Sequence, residues 1–320
     1  MRRRILWGGR SGRKEKGLPR DAARALWGHM PTSVTPPSHR RRPRRRRTRG
    51  EWRRAAAALG LLVAAASSRA EAQDRFEIQV YDSEVAAAGE PGLELHTNYV
   101  ARGTAAASAG GELPTRHVLH LTLEPHIGLF GWGELGGYLQ GALRPEGAFD
   151  YAGVKLRFKA KWPSRLLDGV VGFALNAEVS AVPAAYEPNR WGTELRPVID
   201  ARVGRLYAAL NPILSTDLSG PIAGHPQLDP AAKLAFFARP ELSAGVEYYA
   251  GLGPLDGLLP ASAQTHNLYA VLDLAGDFFD VDLGVGRGLA AGDGWVAKAI
   301  VGIHPRGPPP PQPPGSAAAR

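Results

Sequence analysis

From Gly92 to Ile303 apolar and polar residues alternate with a period of two, in segments separated by clusters of Gly, Pro, Asp, Asn and Ser. That is the pattern of half-buried strands joined by turns, and no segment keeps the 3.6-residue stripe of an amphipathic helix. Val154–Trp162 shows it most plainly. Val154, Leu156, Phe158, Ala160 and Trp162 fall on one face, and Lys155, Arg157, Lys159 and Lys161 on the other. The same rhythm sets Leu195, Ile199, Ala201 and Val203 against Glu194, Arg196, Asp200 and Arg202, and Trp295, Ala297, Val301 and Ile303 against Lys298. It predicts twelve strands, over 93–100, 117–124, 132–143, 151–162, 170–182, 191–203, 205–214, 232–238, 242–250, 267–275, 278–286 and 295–303. Phe76–Tyr81 repeats the alternation ahead of them and reads as a thirteenth strand or as an N-terminal lid.

Most of these segments run eight to thirteen residues. That exceeds the roughly 5–6 residues of soluble strands and suits the roughly 9–11 that a tilted strand needs to cross a bilayer. A secreted soluble β-sheet binding module, with its charged faces as the recognition surface, is the competing architecture. Three features favour a barrel in lipid. Ala and Gly share the apolar face with Leu and Val, which would fill a sandwich core poorly. The opposite faces carry runs of charge that a wet lumen tolerates. Aromatics gather at segment ends, at Phe130, Trp132, Trp162, Trp191, Tyr248 and Trp295, where interfacial girdles form. The expected fold class is all-β, an antiparallel transmembrane β-barrel of about twelve strands.

Charge divides the chain. It holds 39 Lys+Arg and 30 Asp+Glu, a net of +9, which taken whole suggests nucleic acid as a partner. Residues 1–72, however, hold 20 basic and 4 acidic residues, a net of +16, and residues 73–320 carry a net of −7. The basic pair Arg53-Arg54 leads into the apolar run Ala55–Ala66 and then Ser67-Ser-Arg-Ala-Glu-Ala72, whose end fits the small-x-small cleavage rule. Residues 51–72 therefore read as a signal peptide cut between Ala72 and Gln73. Residues 1–50 read as a basic low-complexity extension or a start placed too early, and 73–303 as the barrel. Residues 304–320 read as a Pro-rich disordered tail. No nucleic-acid reader accompanies the arginines. The absence of Cys excludes disulfides, thiolate metal sites and Cys nucleophiles.

Phe76-Glu-Ile-Gln-Val-Tyr-Asp82, Gly92-Leu-Glu-Leu-His-Thr-Asn-Tyr99, Glu194-Leu-Arg-Pro-Val-Ile199 and Asn211-Pro-Ile-Leu214 resemble stretches of Gram-negative outer-membrane β-barrel proteins of porin-like, mostly uncharacterised type. Glu247-Tyr-Tyr-Ala-Gly-Leu-Gly-Pro-Leu-Asp256 and Asp282-Leu-Gly-Val-Gly-Arg-Gly288 extend the likeness over roughly residues 74–303. The resemblance implies an outer-membrane location, lipid as a partner and passive passage of small polar or amphipathic solutes without a cofactor. Such barrels end on a strand with a terminal aromatic, whereas this sequence runs on through its proline tail to Arg320.

Chemistry is sparse. No Gly-x-Ser-x-Gly turn or Walker loop occurs. His117 and His120 face opposite sides of a strand, and His120 and Glu124 are roughly 13 Å apart along one face, so neither pair holds a metal alone. The expectation is no enzyme, no metal and no catalytic residue. A barrel hydrolase acting on envelope lipid or peptide is the weak alternative, with His96, His120, His225 and His266 as its places to look. The candidates are instead lumen-lining: Lys155, Arg157, Lys159, Lys161, Glu134, Glu178, Glu194, Arg196, Asp200, Arg202, Glu247, Asp273 and Lys298. Like charges repeated along one strand need opposite charges across from them, so a mixed, partly paired lumen is expected. Passage would be governed by that charge and by loops 103–114, 183–190, 215–231 and 252–265.

Overall fold

The computed structural model describes residues 74–108, 111–187, 189–220, 223–290 and 292–304. The expected leader, its expected Ala72/Gln73 junction and the proline-rich residues after His304 lie outside the described residues. Fifteen strands follow in order: β1 (Pro91–Arg102), β2 (Leu119–Phe130), β3 (Gly133–Leu143), β4 (Phe149–Lys161), β5 (Val171–Ala181), β6 (Trp191–Val203), β7 (Leu206–Asn211), β8 (Leu214–Asp217), β9 (Gln227–Leu228), β10 (Ala231–Arg239), β11 (Leu242–Gly251), β12 (Gly253–Pro254), β13 (Thr265–Ala275), β14 (Phe279–Ala290) and β15 (Trp295–Ile303). Every pairing between these strands is antiparallel. Most join consecutive strands, β6 also pairs with β8, β7 with β10, β9 with β12 and β11 with β13, and β15 closes on β1 through pairs that include Leu93↔Ile303 and Tyr99↔Ala297. Strands β1–β7, β10, β11 and β13–β15 form the closed ring of twelve; β8, β9 and β12 extend it at one end.

That end also carries the longer connections, 103–118, 182–190 and 255–264, and is called the loop end. The other carries the tight turns 131–132, 204–205 and 240–241 and the longer 162–170, and is called the turn end.

The strand expected over 205–214 is interrupted, and segments expected as loops contain the short strands β8, β9 and β12. The reason is a row of prolines. Ile199 pairs with Leu210 and Leu195 with Leu214, which sets Pro197 opposite Pro212. Asn211 pairs with Ala231 and Leu214 with Leu228, which sets Pro212 opposite Pro230. Three neighbouring residues without an N–H cannot continue a ladder.

The two faces of the wall differ as the alternation requires. Leu95, Leu139, Leu156, Leu175, Leu234 and Val285 are among many large apolar side chains left exposed on the outside. Phe130, Trp132, Trp162 and Phe279 ring the turn end, and Tyr151, Trp191 and Trp295 the loop end. An apolar surface this extensive between two aromatic belts is suited to hydrocarbon rather than to water. The inward positions carry His, Asn, Glu, Arg and Lys, most of them buried.

What buries them is the chain itself. Phe76–Tyr81 is not a thirteenth strand: residues 74–90 run through the barrel from the loop end to the turn end, and only Ala88 makes an isolated bridge, to Gly128. The period-two alternation is real but is spent inside. Ile78 and Val80 pack against Val100, Ala209, Ile213, Tyr249, Tyr269 and Val296 on one half of the wall. Phe76 packs against Val118, Ala142 and Ala152 near the loop end. The acidic residues of the segment turn to the other half.

Candidate functional site: the filled lumen

The basic ladder of β4 meets this segment almost rung by rung. The Lys155 ammonium is paired with Asp74 and lies 3.6 Å from Glu77 and 3.7 Å from Glu178. Lys159 reaches Asp82 at 3.4 Å and Lys161 reaches Glu84 at 2.8 Å. Arg157 is held by the wall instead, 2.7 Å from both Glu124 and Glu134. From β6, Arg196 joins Glu194 at 2.7 Å and Glu77 at 3.3 Å. Asp200 pairs with Arg165 of the β4–β5 turn and accepts the Ser83 N–H at 2.6 Å. Arg202 stacks its guanidinium over Phe237 at 3.9 Å.

Across the lumen a second cluster forms. Lys298 lies 2.6 Å from Glu247 and 3.0 Å from Asp282, and donates to the Ile78 carbonyl at 3.1 Å. Lys233 bridges Glu247 at 3.0 Å and Asp273 at 2.7 Å. All thirteen candidate positions therefore face inward, and the charges are intermixed rather than sorted into opposing acidic and basic walls.

Tyr81 is the hub of the first cluster. Its hydroxyl donates to Glu77 at 2.7 Å and meets the Tyr138 hydroxyl at 2.5 Å. The guanidinium of Arg196 lies 4.4 Å from its ring centre, with Lys159 at 5.2 Å and Arg157 at 5.7 Å, so three cations face one electron-rich ring. Beyond Tyr81, toward the turn end, the barrel opens into a cavity of about 1690 Å³ walled by Arg157, Lys159, Asp200, Lys233, Asp273 and Asp282. Toward the loop end, a pocket beside Phe76, Thr115 and Tyr186 has about 20 Å³, room for a single water. Among the described residues, the lumen is open at the turns and filled by the segment toward the loops.

Glu94, His96 and Glu124 bring ligand-type atoms within 4.8 Å of one another on the wall. His96 Nε2 stands 2.9 Å from Glu124 and 3.5 Å from Glu94, and Arg157 already places a cation on Glu124, so the cluster is built as an ion-pair network. The other histidines are scattered. His120 packs edge-on against Phe76 at 4.8 Å, His225 faces Asp256 at 3.3 Å in a loop, and His266 stacks with Tyr248.

No protein-family model and no curated protein matches the sequence. Three solved structures share features of the barrel. The COG4313 outer membrane channel from Pseudomonas putida F1 aligns at 14% identity and a TM-score of 0.48, over 71% of this chain and 100% of that one. The KdgM porin aligns at 9% and 0.44, over 66% and 98%. LpxR from Salmonella typhimurium aligns at 11% and 0.37, over 66% and 99%. Similarity at this level assigns no residue of this chain to a site in any of them, and the barrel stands on its own pairing and surface.

The residues missed in the sequence include those of the segment and its holders, Asp74, Glu77, Tyr81, Asp82, Glu84, Asn211 and Glu124, and, on the wall and its turns, Tyr138, Arg165, Lys233 and Asp282. One signal was present. Acidic residues at 74, 77, 82 and 84 precede β1 in the same chain that carries four bases in alternate positions on β4.

Proposed function

We propose that the protein is an outer-membrane β-barrel of a Gram-negative bacterium that passes small polar or amphipathic solutes, with residues 74–90 as a plug that shifts to allow passage. The leader delivers it, and cleavage falls between Ala72 and Gln73. The loop end faces outward and the cavity faces the periplasm, following the general disposition of long loops and short turns in such barrels. The single observation that carries this reading is the seat of the plug. It fills the lumen through separable ion pairs and one apolar stripe, and it closes a passage that is otherwise already hollow on the periplasmic side. Solute passage needs no cofactor and no catalytic group; orientation comes from the intermixed charges around the cavity.

Planar-bilayer recording tests it. The full barrel is expected to show small, infrequent conductance steps, and deletion of residues 74–88 to give large, sustained ones. Equal conductance before and after the deletion overturns the plug, and recovery of the protein in the aqueous periplasmic fraction without detergent overturns the membrane location.

A further inference from the structure

On the outside of the barrel, at the loop end, one sector gathers arginines around a tryptophan. The last ladder pair of β14 with β15, Gly286↔Val296, places Arg287 opposite Trp295 on the outer face, and the Arg287 guanidinium lies 5.7 Å from the Trp295 ring centre. On the other side of Trp295 stands Arg102. The bulge after Val100 sets Arg102 directly across from Trp295, so the two side chains share the outward face. The start of β2 is tied to the same place by His117 N–H donating to Val100 O at 2.7 Å and Arg116 N–H to Thr104 O at 3.1 Å. Arg116 Nε donates to His117 Nε2 at 3.2 Å, and His117 Nδ1 faces the Tyr99 hydroxyl at 3.0 Å.

Arg287, Trp295, Arg102 and Arg116 thus form one row across β14, β15, β1 and the turn that leads into β2. At ~4.8 Å per strand the row is about 15 Å wide. All three arginines are exposed, and among the described residues none of them has a carboxylate partner. The nearby acid, Asp293, is turned away and engaged by Arg75 at 3.2 Å and Thr115 at 2.8 Å. Just below the row lie exposed Val285 and Tyr99, where the apolar band begins. The turn end shows no counterpart: its exposed Arg205 and Arg239 are interspersed with exposed Asp168, Glu241 and Asp277.

Three planar, permanently charged donors in a line, two aromatic rings between them and hydrocarbon-facing side chains beneath describe an amphiphile's binding site. Guanidinium forks match phosphate oxygens two by two, the rings sit at headgroup level, and the apolar side chains meet acyl chains. We infer that this row binds the phosphorylated headgroup of an outer-leaflet glycolipid, with Arg102, Arg116 and Arg287 on its phosphates. The inference rests on the outer-membrane location proposed above, and it concerns the outer wall rather than the lumen.

Native mass spectrometry of the detergent-solubilised full chain, titrated with bisphosphorylated lipid A, tests it. The wild type is expected to retain the glycolipid, and the Arg102→Gln/Arg116→Gln/Arg287→Gln variant to bind it at least tenfold more weakly, tenfold being about the scale of one lost charged hydrogen bond. Dephosphorylated lipid A is expected to bind the wild type no better than lipid A binds the variant. Arg190→Gln, which removes an arginine stacked on Trp191 elsewhere on the rim, is expected to leave binding unchanged. Wild-type affinity in the triple variant, equal loss in Arg190→Gln, or equal binding of phosphatidylglycerol overturns the site. Heat-modifiable migration on gels separates the two levels of failure. A heat-modifiable barrel with no preference for the glycolipid loses this site alone, whereas a chain that never shows heat-modifiable migration loses the membrane location and the site together.

Discussion

Asn211 grips the main chain of Tyr81 from both sides, its Oδ1 accepting the Tyr81 N–H at 2.7 Å and its Nδ2 donating to the Tyr81 carbonyl at 3.1 Å. Because Asn211 ends β7 just before the proline row, its amide is the point where the wall's own ladder stops and pairing with the plug takes over. Asn211→Ala leaves two buried backbone groups of Tyr81 unmatched, at a cost of ~1–3 kcal/mol. The expected outcome is a folded barrel with a lower thermal midpoint and more frequent channel openings. Unchanged openings would show that the Asn211 grip does not restrain the plug.

The pairs Lys159–Asp82 and Lys161–Glu84 join wall to plug, so they are open to a charge swap. Lys159→Glu with Lys161→Glu is expected to raise conductance and shift selectivity toward cations. Adding Asp82→Lys and Glu84→Lys is expected to bring the closed behaviour back. Restoration of closure is the decisive reading, because a general loss of fold is not restored by two more substitutions.

Lys298 is the most deeply committed cation in the lumen, fully buried between Glu247, Asp282 and the Ile78 carbonyl. Removing it alone as Lys298→Met leaves carboxylates buried with less compensation, a loss of roughly 3–5 kcal/mol. Lys298→Met with Glu247→Gln is expected to recover a good part of that. Urea unfolding of the barrel in lipid vesicles measures both, and equal stability of the two variants would mean that Lys233 alone satisfies Glu247.

Acid acts on the turn-end anchor. Burial opposes the charge on Glu84, but hydrogen bonds and attraction from Lys161 and Arg165 outweigh it and hold its carboxyl below the ordinary 4.5. A lowered value in the docked state means the contribution is fully present above 4.5 and disappears as pH falls through the docked value. Conductance is therefore expected to stay constant from about pH 7 to 5 and to rise only in stronger acid. In Glu84→Gln that acid-dependent rise is expected to be smaller; an identical pH profile would place the sensor elsewhere.

The wall was legible because each strand reports its own two faces. Val154–Trp162 assigns Lys155, Arg157, Lys159 and Lys161 to one side without reference to any other strand. The plug was not legible for the same reason. Phe76, Ile78 and Val80 alternate as a strand does, and nothing local distinguishes a segment whose apolar side meets a barrel's interior from one that joins the sheet. The break in the strand expected over 205–214 needed register. Pro197, Pro212 and Pro230 are ordinary residues singly, and become an interruption only when pairing aligns them. His96 and Glu124 met across β1 and β2 through the same kind of long-range pairing.

The contact between Lys298 and Ile78 also orders events in time. Its partners are 220 residues apart, and Lys298 sits on the strand that closes the cylinder against β1. The final form of the interior therefore does not exist until the last strand has arrived, and contacts this distant in sequence are the slowest to form. Closing the seam and seating the N-terminal segment are coupled steps of one assembly, so a chain that closes without that segment inside becomes a different, hollow object.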